Sequence, residues 1–144
     1  MAVTPFIPLR VTRQYAAPPE RVFDAWLDAD RARRWLFATP TGEMVRAEID
    51  AQVGGEWRLV ERRPDGDAVH RGSYLTIDRP RRLAFTFAVD EESEGDRVSV
   101  DIAPTDEGCE LTLVHAMSAE YADYAQKTID GWRSEEHTSE LQSL

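Results

Sequence analysis

The chain is short of cysteine, histidine and basic residues, and each shortage excludes something. A single cysteine, Cys109, stands among 144 residues, so neither an intramolecular disulfide nor a Cys-rich zinc site can be built. The three histidines show no metal-ligand spacing. Lys and Arg number 17 against 27 Asp and Glu, a formal net charge of -10. Nucleic-acid binding draws on clustered Lys and Arg that release counterions, so nucleic acid is not an expected partner. The one local basic cluster, Arg31, Arg33 and Arg34, reads as a solvated helix face. No apolar run approaches the roughly 20 residues that span a bilayer, and no membrane contact is expected. The opening Met1-Ala2-Val3-Thr4-Pro5-Phe6 lacks the basic segment and apolar stretch of a secretory signal. A cytoplasmic location is the expectation. A nucleophile elbow and a phosphate-cradling glycine loop are also missing, and no cofactor or metal is expected.

What is present is enough for one domain: 42% hydrophobic residues can fill a single substantial core. Phe6 to Tyr15 alternates loosely, with Leu9, Val11 and Tyr15 on one side and Arg10, Thr12 and Gln14 on the other, as a strand with one wet face does. Ala17-Pro18-Pro19 stops it, and proline suits the first turn of a helix because no amide donor is missed there. Val22, Phe23, Trp26 and Leu27 follow at helical spacing. Asp28 to Asp30 breaks that helix, and a second short one carries Trp35, Leu36 and Phe37 before Thr39-Pro40-Thr41-Gly42. From Gly42 to about Ala116 the pattern is that of strands. Val45, Ala47 and Ile49 alternate with Met44, Arg46 and Glu48, and Val53-Gly54-Gly55 turns the chain into Glu56 to Val60. Pro64-Asp65-Gly66-Asp67 and Asp78-Arg79-Pro80 read as turns on either side of Val69 to Ile77. Leu83 to Phe87, Arg97 to Ile102 and Cys109 to Ala116 complete six consecutive strands, with Asp90 to Asp96 as an acidic loop. Short turns favour an antiparallel meander.

Ser118 is the expected N-cap of a last helix. Tyr121, Tyr124, Ala125, Thr128, Ile129 and Trp132 share one of its faces. That apolar period stops after Trp132, where its continuation meets Glu135, Glu136, Ser139 and Ser143. The run Arg133 to Ser143 also resembles the in-frame translation of a common short-read sequencing adapter. The expectation is a single domain over 1-132 with a shortened C-terminal helix, and a non-native tail over 133-144 whose removal leaves a charge of about -8.

The order strand, two helices, six strands, long helix is that of the α+β helix-grip fold. In it a curved antiparallel sheet of about seven strands wraps a C-terminal helix, with two short helices after the first strand. Particular residues sharpen the resemblance. Ala17-Pro18, Val22-Phe23, Ala25-Trp26 and Arg34-Trp35 resemble the opening of the family of heat shock protein 90 ATPase activator homologues. Val53-Gly54-Gly55-Glu56-Trp57 resembles its glycine-pair turn, and Gly72-Ser73-Tyr74, Ile77, Pro80, Leu83 and Phe85-Thr86-Phe87 its central hairpin. Gly108-Cys109, Leu111-Thr112-Leu113, His115 and Gly131-Trp132 resemble its closing strand and terminal helix. The resemblance covers nearly all of residues 6 to 132 and implies membership of the START-like, SRPBCC superfamily (Bet v 1-like). It implies no single function, because fold does not fix function.

A bent sheet gripping one helix leaves a space between them, the usual place for an apolar ligand. Strand parity and the helix face nominate its lining as Trp57, Leu59, Tyr74, Phe85, Phe87, Val100, Leu113, His115, Tyr121 and Tyr124. For any one aromatic, filling a dry core is the commoner use. His115 is the one candidate acid or base, since parity sets it beside Leu111 and Leu113; a satisfied structural histidine is the blander reading. Glu61 shares parity with Trp57 and Leu59, and its place near a strand end predicts solvation. The Gly54-Gly55 pair reads as a tight turn rather than an anion site. The leading expectation is a binding domain for an apolar or aromatic small molecule, with no catalytic set. One alternative is a cyclase or aromatase using His115. Another is a chaperone-partner or regulatory module, by analogy with the family name.

Overall fold

The computed structural model describes residues 6–35, 42–89, 95–118 and 123–136. Strand β1 (Phe6–Tyr15) leads into helix α1 (Pro19–Leu27) and helix α2 (Ala29–Trp35). Six strands follow: β2 (Glu43–Ile49), β3 (Glu56–Arg63), β4 (Gly66–Asp78), β5 (Arg82–Phe87), β6 (Asp96–Thr105) and β7 (Gly108–Ser118). Helix α3 (Ala125–Glu136) is the last element among the described residues. All neighbouring strands pair antiparallel in the order β1-β7-β6-β5-β4-β3-β2. The β2-to-β7 meander follows from its short turns, and β1 returns to pair with β7 at the far edge.

The two short helices are set by proline and aspartate. Pro18 and Pro19 begin α1, and Val22, Phe23, Ala25 and Trp26 form its buried stripe. The Asp28 carboxylate then accepts the Asp30 amide at 2.9 Å, capping the next helix where the sequence shows only a break. Arg79, in the β4–β5 turn, grips Asp24 of α1 through two bonds of 2.8 and 2.9 Å, which holds the Asp24 carboxyl below its ordinary range.

Helix α2 is described as far as Trp35; Leu36 and Phe37, expected to belong to it, lie outside the described residues. Three expectations are corrected. The β2–β3 register shifts between Met44 and Arg46, so Met44 rather than Val45 joins Ala47 and Ile49 against the core, and Val45 faces solvent. A bulge inserts one residue and so reverses parity on one side of it. Ser118 is no helix cap: it ends β7 opposite Phe6. Strand pairing extends β7 beyond Ala116, and α3 begins only at Ala125. Asp96, read as part of a loop, is the first residue of β6, paired with Phe87.

Inward residues of the central strands form one core with α1. Leu59, Leu83, Phe85, Val98, Val100, Ile102, Leu111 and Leu113 pack with Val22, Phe23 and Trp26. Gly72 lets β4 pass close to its neighbours, because a Cβ there would collide with the Thr86 carbonyl and crowd the Trp57 indole nitrogen. Helix α3 lies beside β1 and reaches this core through Trp132, with Ile129 partly buried against it.

Candidate functional site between the sheet and the last helix

The inner face of the sheet divides into an apolar cleft and a polar rim. The cleft is lined by Trp26 from α1, Ile49 from β2, Trp57 and Leu59 from β3, Tyr74 from β4, and Leu83 and Phe85 from β5. Phe85 stands between two indoles, 6.1 Å from Trp26 and 5.7 Å, edge-on, from Trp57. These side chains leave room for about one water between them. The cleft is nearly filled. Burial pushes the Tyr74 phenol well above its ordinary range, with the Asp50 carboxylate adding to it, so Tyr74 stays a neutral hydroxyl.

At the rim, His115 joins β7 to α3. Its side chain is buried, with the residue only 4% exposed. The Trp132 indole N–H donates to His115 Nδ1 at 3.0 Å. An indole nitrogen only donates, so Nδ1 is the acceptor and the ring proton sits on Nε2. That Nε2–H faces Asp96 Oδ2 at 2.8 Å. Each link fixes the next: the carboxylate selects the tautomer, and the tautomer offers Trp132 its acceptor. The Trp132 ring packs with Phe87, His115 and Trp26 at centroid distances of 5.6, 6.0 and 6.4 Å.

The structure distributes the nominated residues unevenly. Trp57, Leu59, Tyr74 and Phe85 line the cleft, while Phe87 and His115 meet at Trp132. Val100 and Leu113 are buried deeper in the core. Tyr121 lies outside the described residues. Tyr124 does not line the interior, being 57% exposed. It lies in the 3-10 turn that leads into α3, and its carbonyl accepts the Thr128 hydroxyl at 3.0 Å.

The rim also holds residues that the sequence undervalued. Glu61 is not solvated but 1% exposed; Arg63 Nε donates to its Oε1 at 2.5 Å. It packs so tightly beside Gly42 that a Cβ there would strike the carboxylate. His70, opposite Leu59 on β4, is 8% exposed and meets Phe87 edge-on at 6.1 Å. Parity was the available signal for Glu61; charge argued the other way, and a same-strand arginine two positions on resolves the conflict. Replacing Arg63 with methionine takes the guanidinium from a buried carboxylate and is expected to cost about 2 kcal/mol, less than for a fully buried pair because Arg63 is about one-third exposed. Adding Glu61→Gln should recover part of that loss in urea titrations. A double variant no more stable than Arg63→Met alone would show that the pair carries no such energy.

Among the described residues no group of His, Cys, Asp or Glu is placed to hold a metal, and no helix is long and apolar enough to cross a membrane. The glycine pair offers no anion cradle: the Gly54 amide bonds Tyr74 and the Gly55 amide bonds Gln52.

A seven-stranded antiparallel sheet with two short helices after β1 and a terminal helix bonded to its inner face defines the helix-grip, START-like class of α+β domain. The model of the family described as activator of Hsp90 ATPase homolog 1-like protein matches residues 16–142, and the chain belongs to that family. Among solved structures, protein CV1439 from Chromobacterium violaceum is similar at 25% identity and a TM-score of 0.80, with 95% of this chain and 96% of that one covered. Protein NE0264 from Nitrosomonas europaea aligns at 18% identity and a TM-score of 0.81, covering 95% and 92%. A solution structure of an AHSA1-like protein from Aeromonas hydrophila aligns at 20% identity and a TM-score of 0.71, covering 96% and 97%. A search of curated proteins gave no match.

Proposed function

We propose that this domain binds an apolar aromatic small molecule between the inner face of the sheet and α3. The supporting observation is the cleft itself: its seven lining residues are apolar or aromatic, and α3 reaches the same core through Trp132. Trp132 is the only side chain of α3 among the described residues that is fully buried. A nearly filled apolar cleft fits a site that rearranges to admit its ligand, with binding energy offsetting the cost of rearrangement. Such a ligand gains by leaving water, at roughly 25 cal/mol per Å² of apolar surface.

The catalytic reading of His115 has less support. Both ring nitrogens are engaged by Trp132 and Asp96, and an acid or base needs a nitrogen within reach of substrate. A panel of one- and two-ring aromatics tested by thermal unfolding should give at least one saturable rise in Tm, since a ligand that binds only the folded state stabilises it by mass action. A panel with no concentration-dependent shift, checked by calorimetry, counts decisively against the proposal.

A further inference from the structure

We infer that Trp132 is a resident stand-in for the ligand, and that the site it fills is built for a flat aromatic bearing an N–H or O–H donor on its edge. The inference rests on the binding function proposed above and names the ligand's chemical class.

The walls of this site do not depend on the helix that covers it. Trp26 comes from α1, Phe87 from β5 and His115 from β7, all seated in or against the sheet. Lifting α3 therefore removes the indole and leaves its surroundings in place. Those surroundings are an aromatic enclosure with one acceptor at its base, His115 Nδ1. The acceptor is held in its role because Asp96 engages the opposite nitrogen. The neighbouring cleft has space for about one water, so a ligand seated there displaces a side chain. Trp132 is the one deeply buried side chain of α3 among the described residues.

The acceptor then decides which ligands are taken. A guest without a donor would leave a buried imidazole nitrogen unsatisfied, and sites built around a hydrogen bond discriminate strongly against analogues that lack it. A phenol or an indole-like heteroaromatic repeats the Trp132 bond; a hydrocarbon or an ether of the same outline does not. A carboxylate brings an acceptor to an acceptor, with Asp96 already behind it.

The test uses the unaltered protein with naphthol and its methyl ether, two molecules of nearly the same shape that differ in the donor. Naphthol is expected to bind about tenfold more tightly, the worth of one buried hydrogen bond. At saturation the indole N–H resonance of Trp132, assigned by its absence in Trp132→Phe, should leave its hydrogen-bonded position. In Trp132→Ala, indole should raise Tm more than indene, which has the same frame without the N–H. Equal affinities for naphthol and the ether, or saturation with the Trp132 resonance unmoved, would overturn this inference and leave the binding function standing. If neither compound binds at millimolar concentration and no other aromatic does, both fall.

Discussion

Replacing Trp132 with alanine is expected to destabilise the domain by about 4 kcal/mol, within the range for emptying a buried indole site. Three losses coincide there. The ring contacts with Phe87, His115 and Trp26 disappear, the helix loses its buried attachment, and His115 Nδ1 loses its donor. Trp132→Phe separates these effects, because it keeps most of the apolar contact and removes only the N–H. Its expected cost is about 1 to 2 kcal/mol, the penalty of a buried acceptor left unmade. Chemical denaturation of the three proteins checks both figures. If alanine and phenylalanine cost the same, packing is not what seats α3; if phenylalanine costs nothing, the bond to His115 is energetically idle.

The second large effect is a pH dependence carried by His70. Burial first, and the nearby Arg63 guanidinium second, push its pKa down from 6.5 to about 4; the Leu59 backbone bond and Glu61 oppose this less strongly. The folded pKa is lowered, so below pH 6.5 the unfolded chain takes up a proton that the folded protein refuses until about pH 4. Stability from this group is fully present above pH 6.5 and is lost as pH falls toward about 4. At about 1.4 kcal/mol per pH unit, the window spans about 3 kcal/mol. His70→Phe keeps a ring against Phe87 and cannot titrate, so the stability difference between the two proteins should change with pH across that window and be flat above it. Parallel profiles from pH 7.5 to 4 would refute the assignment.

Most of the architecture was legible in the chain. The alternation in β1, β5, β6 and β7 and the 3.6-residue stripe of α1 are local signals, because burying one face of a strand or helix imposes a period on the sequence. They carried the order of elements along the chain and the inward faces of β5, β6 and β7, while the short turns carried the meander. The misreadings came where a long-range partner overrode a local rule. The bulge at Met44 exchanged Val45 for Met44 against the core. Pairing with Phe6 drew Ser118 into β7. Glu61 differs, since the partner that lets it be buried near a strand end, Arg63, lies two positions on in the same strand.

The candidate site divides along the same line. By itself the sequence determined the sheet, its apolar inner face, the inward parity of His115 and the shared helix face of Ile129 and Trp132, because each follows from residue spacing within one element. Only the tertiary structure decided that Asp96, His115 and Trp132 form one hydrogen-bonded chain across β6, β7 and α3, and that the cleft beside them is nearly filled. The reason is physical. Which donor meets which acceptor, and how much space is left when side chains from separate elements interlock, depends on register and docking between elements. Residue spacing within one element does not encode them.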